Sequence, residues 1–223
     1  MKTRRQTLVA FGLVVTACLP AQAQDAENEL IRAVLQDSAA AVRRLLAAGA
    51  DPNAKNSKDQ PALTLAVQEG ALQAADALLA DARLQPEQRN ANDESPLMMA
   101  ALKGQLDMVR RLIALGAHVN KPGWAALHYA ATGGHLSILD LLLEEHAFID
   151  AQSPNGTTPL MMAAMYGTPE AVKLLIQAGA DINMRNDKNM TALDFARAAE
   201  RQNAVELLVQ AYRYSQDGGH PKW

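Results

Sequence analysis

The chain has 223 residues, 49% of them hydrophobic and only 4% aromatic, with a formal net charge of -3. That length holds one or two domains, and the shortage of aromatics suits closely packed helices built on small residues more than a sheet sandwich. Beyond the first five residues there is no dense run of Lys or Arg, which argues against a nucleic-acid partner, and the single cysteine, Cys18, excludes an intrachain disulfide or a cysteine-based zinc site.

Residues 1–23 have the make-up of a cleavable export signal. Lys2, Arg4 and Arg5 form a basic start, Leu8–Leu19 an apolar run too short to span a bilayer comfortably, and Ala21-Gln22-Ala23 a small-x-small cleavage site. Cutting after Ala23 removes three basic residues, no acidic ones, and Cys18. Two other readings stay open. Val15-Thr16-Ala17-Cys18 has the form of a lipobox, in which Cys18 is lipidated and becomes the new N-terminus, and Thr3-Arg4-Arg5 has the form of a twin-arginine signal. Either way a bacterial cell envelope, and in the main reading the periplasm, is the expected location.

From here the sequence repeats. A leucine early in a short apolar segment recurs at Leu30, Leu63, Leu97, Leu127, Leu160 and Leu193, with spacings of 33, 34, 30, 33 and 33. Glycines follow at Gly70, Gly104, Gly134 and Gly167, and helix-ending pairs at Gly49-Ala50, Gly116-Ala117 and Gly179-Ala180, with His146-Ala147 in the equivalent place. The clearest unit is Gly156–Asn183. It predicts a helix over Thr158–Tyr166, stopped by Gly167, then a second over Pro169–Ala178 with Thr168 as N-cap and Pro169 where a missing N–H costs nothing. Gly179 supplies the left-handed residue that ends it. One such unit cannot bury its own apolar face and must stack on its copies, so the period predicts a solenoid.

Ser95-Pro96-Leu97-Met98-Met99-Ala100 and Thr158-Pro159-Leu160-Met161-Met162-Ala163, with Ala125-Ala126-Leu127-His128-Tyr129-Ala130 and the weaker Thr191-Ala192-Leu193 and Pro61-Ala62-Leu63, carry a resemblance. The sequence resembles the ankyrin-repeat family, whose first helix opens T-P-L-H-x-A and whose unit ends G-A-D-x-N. The resemblance covers about residues 27–213. It implies an all-α solenoid of helix-turn-helix units with short β-hairpin fingers, about six units including caps: 24–55, 56–89, 90–122, 123–152, 153–185 and 186–214. Three departures carry expectations. The family histidine is kept only at His128, with Thr64, Met98, Met161 and Asp194 elsewhere, so neighbouring turns should be tied less firmly. The finger at Lys121-Pro122-Gly123-Trp124 should be clipped, since the connection is three residues short, and Asp81–Asn90 should be an irregular loop.

The ends read as caps. Asp37 and Glu200 replace the inter-helix glycine, and Arg197, Arg201 and Gln202 stand where small residues pack on a further copy. The polar tail, residues 215–223, is expected to be disordered.

A search for chemistry finds little. The histidines show no metal-like spacing, and no nucleophile elbow or phosphate-cradling loop is present. His128 and His135 read as structural, Glu144 and Glu145 diverge as helix neighbours, and the pairs Met98-Met99 and Met161-Met162 read as core, the alternative being an adaptable or oxidation-sensitive contact surface. No enzyme, cofactor or metal is expected.

In the resembled family partners bind the fingers and the exposed end of the first helix. That resemblance places a protein-binding concave face at Arg89, Asn92, Leu102, Trp124, Asn155, Met165, Tyr166, Arg185 and Lys188. Trp124 beside the shortened finger, with Met165 and Tyr166 one unit on, has the make-up of a binding hot spot. Alternatively Trp124 packs locally over the turn. The expected function is a monomeric, non-catalytic scaffold for a protein partner, the alternatives being a lipid-anchored adaptor or an immunity-like inhibitor of a partner enzyme.

Overall fold

The computed structural model describes residues 19–216. Most of the expected export signal, Cys18 included, and residues 217–223 lie outside it. Twelve helices pair along the described chain: α1 (Leu19–Leu35) with α2 (Ala39–Ala47), α3 (Ala62–Glu69) with α4 (Leu72–Leu79), α5 (Pro96–Leu102) with α6 (Leu106–Ala114), α7 (Ala126–Gly133) with α8 (Leu136–Glu144), α9 (Pro159–Met165) with α10 (Pro169–Gln177), and α11 (Ala192–Ala198) with α12 (Gln202–Gln216). Odd-numbered helices stack in an inner row and even-numbered ones in an outer row, each packed on its own partner and, apart from α4 and α6, on its neighbours in the row. The outer row is loosest between α4 and α6, where Asp81–Asn90 forms an irregular connection.

The recurring leucine sets the layers. Leu30, Leu63, Leu97, Leu127 and Leu160 are all buried, 2% exposed or less, on inner helices that pack on one another in chain order. Leu193 occupies the same register on α11, the last inner helix among the described residues, and is half-buried. The clearest unit forms as its caps dictate. The Thr158 hydroxyl accepts from Met161 N at 3.4 Å and the Thr168 hydroxyl from Ala171 N at 3.2 Å.

Two glycine positions have different physical causes. Gly179 sits at φ +99 after α10, and at the matching place His146 holds φ +61, a conformation that costs a residue with a Cβ. Gly167, in contrast, is not left-handed. A Cβ there would lie 2.4 Å from the Ala131 carbonyl oxygen and 2.9 Å from Ala163 Cα. It is glycine so that unit 5 can press its backbone on unit 4. Tyr166, one residue earlier, caps the helix.

The fingers are tight turns more than paired strands: among the described residues one antiparallel bridge occurs, between Lys55 and Pro61. A side chain at the base replaces the ladder. Asn56 Oδ1 accepts from the backbone N–H groups of Lys58 and Gln60, Asn90 Oδ1 from Asn92 and Glu94, and Asn186 Oδ1 from Lys188 and Met190. Ser153 does the same for Thr157. Lys121–Trp124 makes no such turn, so the fourth finger is clipped.

The cap residues do more than face water. Asp37 and Glu200 keep the left-handed backbone of the glycines they replace, and Asp37 Oδ1 accepts from Ala74 N at 2.9 Å, capping α4 of the next unit. At the C-terminal end α12 extends through Ser215 and Gln216. Those two residues of the expected disordered tail are therefore helical: they continue the periodic helix begun at Gln202 before the glycines are reached.

Candidate functional site

The finger side of the stack carries two grooves in equivalent slots of the repeating frame. The first, about 600 Å³, lies between the second and third fingers. Its walls combine the amides Asn56, Gln60, Gln68, Asn90 and Asn92 with the charged Lys58, Glu69 and Glu94, over Leu65 and Leu35. The amides are ordered in a chain, Asn56 Nδ2 donating to Gln60 Oε1 at 3.1 Å and Gln60 Nε2 to Gln68 Oε1 at 2.8 Å.

The second groove, about 320 Å³, lies over units 5 and 6. Trp124, Met162, Met165, Tyr166, Met190 and Phe195 line it, with Asn155, Thr157, Asn186 and Lys188 at its polar edge. Tyr166 is 54% exposed, while the three methionines, Trp124 and Phe195 are half-buried. Between the grooves the Tyr129 hydroxyl donates to Glu94 Oε1 at 3.1 Å, and burial together with the Glu94 charge pushes that phenol well above its ordinary range.

Trp124 is held from two sides. Its ring meets the His128 ring edge-on, centroids 5.2 Å apart, so local packing and groove lining occur together. Its carbonyl accepts from Lys121 Nζ at 3.0 Å. The Lys121 side chain is 4% exposed and its ammonium pairs with Asp93 Oδ2 at 2.5 Å. Lys121 and Arg89 together hold the Asp93 carboxyl below its usual range. A shielded cation therefore fixes the clipped finger to the one before it, and Trp124 with it.

His128 is fully buried. Nδ1 accepts from Ala125 N at 3.2 Å, which leaves Nε2 to donate to the Thr157 carbonyl at 3.0 Å. One ring thus ties its own helix start to the next finger, and burial lowers its proton affinity. The replacements at this position each make half of that link. Met98 Sδ and Met161 Sδ accept only from their own N-caps, Ser95 N and Thr158 N, and Thr64 Oγ1 reaches only the connection that leads to the next finger, at Gln88 O. His135 Nε2 lies 2.9 Å from the Leu102 carbonyl, a second link between units.

Five of the nine residues expected on the binding face converge on the second groove: Trp124, Asn155, Met165, Tyr166 and Lys188. Asn92 lines the first. Arg89 is engaged with Glu87 and Asp93, and Arg185 donates to the Asn189 carbonyl at 2.8 Å. Leu102 lines neither groove. Sequence reasoning missed Phe195 and read Met162 as core with a contact surface as the alternative; the structure opens both on the groove, each two residues after the layer leucine. Leu65 holds that register position in the first groove, and applying the register to every unit would have found all three. Among the described residues no group of three or more His, Cys, Asp or Glu is placed to hold a metal ion.

Comparison with known proteins matches this geometry. A family model described as ankyrin repeats in three copies matches residues 30–123, 63–153 and 127–217. A putative ankyrin repeat protein of Acanthamoeba polyphaga mimivirus is 40% identical over 62 residues, 26% of this chain and 8% of that protein. An ankyrin repeat and SAM domain-containing protein of Mus musculus is 46% identical over 56 residues, 25% of this chain and 6% of that protein. The matched stretches are thus a small part of those relatives. Among solved structures, a chain of the complex described as the predatory endopeptidase Bd0816 from Bdellovibrio bacteriovorus with immunity protein Bd3460 superposes with a TM-score of 0.70 at 29% identity, covering 81% of this chain and 96% of that one. The repeated leucine layers, the finger turns and the family match over most of the length agree, and the chain belongs to the ankyrin-repeat family.

Proposed function

We propose that the protein is a monomeric, non-catalytic scaffold of the bacterial cell envelope that seats a protein partner on the second groove. The observation that carries this is the convergence of Trp124, Met165 and Tyr166 with Met162, Met190 and Phe195 on one finger-side surface. Rigid aromatics beside adaptable thioethers are the side chains that dominate binding energy at interfaces. A photo-crosslinking residue in place of Tyr166, incubated with envelope extract, is expected to give adducts that vanish when Trp124→Ala is added. The same crosslinker at Arg110, exposed on outer helix α6, should give none. Equal adducts from both positions would remove the groove from consideration.

Export rests on residues 1–23. The mass of the mature N-terminus separates a chain beginning at Gln24 from one lipidated at Cys18, the adaptor reading. Cutting after Ala23 leaves the part of α1 that buries Leu30, Ala33 and Val34. Among the described residues no helix is long and apolar enough to cross a membrane.

A second reading, an immunity-like protein that blocks a partner enzyme, is favoured by the likeness to a chain of an endopeptidase–immunity complex. Added to envelope extract, the wild-type chain is then expected to depress endopeptidase activity, and the Trp124→Ala/Tyr166→Ala variant to leave it unchanged. No effect of the wild type would dismiss this reading while leaving the scaffold reading open.

A further inference from the structure

The methionines of this protein fall into two sets. The chain has nine, and all but Met1 lie in the described residues. Met98, Met99, Met108 and Met161 are 4% exposed or less. Met162, Met165, Met184 and Met190 are half-buried, and of these all but Met184 line the second groove. The adjacent pair Met161-Met162 divides: Met161 is sealed in the core with its sulfur accepting from Thr158 N, and Met162 opens on the groove.

We propose that Met162, Met165 and Met190 form a site of reversible sulfoxidation that switches the groove from apolar to polar. The reaction needs a peroxide. A thioether lone pair attacks one oxygen of hydrogen peroxide, the S–O bond forms as the O–O bond breaks, and the departing hydroxide takes up the remaining proton and leaves as water. Sulfur is oxidised by two electrons and the peroxide is reduced by two. Each sulfoxide places a strong dipole and a hydrogen-bond acceptor where Trp124, Tyr166 and Phe195 present ring surface, and a thioether's favourable contact with a ring is lost. Lys188 is the sole charged side chain in that lining. The core set is shielded, so the chain keeps its fold while its recognition surface changes. The functional weight of this switch rests on the groove being the partner site; the chemistry does not.

The test uses the whole chain with Trp223→Phe, which leaves Trp124 as the single tryptophan. After graded hydrogen peroxide, peptide mapping is expected to show Met162, Met165 and Met190 gaining oxygen at least about ten-fold faster than Met98, Met99, Met108 and Met161. Helical circular dichroism should be unchanged and Trp124 emission shifted to the red. Methionine sulfoxide reductases should reverse the shift. The variant Met162→Leu/Met165→Leu/Met190→Leu, close in volume, should oxidise at Met184 with no shift. Equal oxidation of Met161 and Met162 at full helicity, or an emission shift that persists in the triple variant, would overturn the proposal. Because no partner enters this experiment, failure of the Tyr166 crosslink would dismiss the binding face and leave the modification site standing.

Discussion

The N-terminal and C-terminal halves of the finger side are built on one frame and end up with opposite chemistry. In the first groove the register positions two and five residues after the layer leucine hold Leu65 and Gln68; in the second they hold Met162 with Met165 and Phe195 with Ala198. The amides of the first spend their hydrogen bonds on one another, whereas the rings and thioethers of the second have no such internal partners. The seams below differ too. Units 4 and 5 are joined by His128 and by the backbone approach at Gly167. Units 2 and 3 are joined instead by long polar side chains, Gln105 Nε2 donating to the Val67 carbonyl at 3.0 Å, His118 N to Glu87 Oε2 at 3.0 Å, and Arg111 pairing with Asp76. The lesson is that a repeat frame fixes where a slot lies, and a few register positions decide what it accepts.

The largest expected effect tests the layers themselves. Leu160→Ala should cost about 2–5 kcal/mol in chemical denaturation, and Leu193→Ala, at the open end, less than half as much. Equal losses would mean that the last layer is as closed as the fifth. Next comes the tight seam. Gly167→Ala pushes a methyl onto two backbones that cannot move independently, and a loss of about 3 kcal/mol is expected. An unchanged melting midpoint would show that units 4 and 5 stand further apart.

His128→Leu should cost about 2 kcal/mol, since Ala125 N–H is left buried without an acceptor and the tie to the Thr157 carbonyl, which keeps only the Ser153 N–H, is lost. Met98→Leu, at the same register in the other half, should cost less than about 1 kcal/mol. The pH dependence has a definite sign. Burial depresses the folded proton affinity of His128 below that of the unfolded chain. The unfolded state therefore binds the extra proton, and stability falls as pH drops below about 6.5 toward the folded value. The His128→Leu variant should lose that component of the pH profile.

The smallest effect is a gain. At the end of each unit Asn53 and Asn120 donate to and accept from the next unit's turn, through Arg83 O and Gln85 N, and His146 O and Phe148 N. Asp150 only accepts, from Asp181 N at 3.0 Å, and burial together with the Asp181 charge raises its proton affinity. A carboxyl raised in the fold opposes stability at neutral pH and ceases to do so as pH falls through its folded value. Asp150→Asn should therefore add about 1 kcal/mol at pH 7, and a loss of stability would show that the carboxylate is specifically required.

Much of this was legible in the sequence because the repeat compares the chain with itself. The leucine ruler located every layer, and the clipped finger followed from a count of residues between Asn120 and Leu127. What could not be read was the use of single atoms. Gly167 looks like its left-handed counterparts, yet it is needed for space, and only the neighbouring backbone reveals that. Met161 and Met162 are adjacent and identical in type, but helix rotation sends one to the core and the other to the groove. The shielded ammonium of Lys121 depends on Asp93, about thirty residues away, a distance at which periodicity is silent.

The slack between α4 and α6 has a consequence for how the molecule comes apart. In a chain whose elements couple only to adjacent copies, opening begins where coupling is poorest. The first two helix pairs should detach as one cooperative block, and their amide protons should trade with deuterium together, ahead of those in the four pairs that follow.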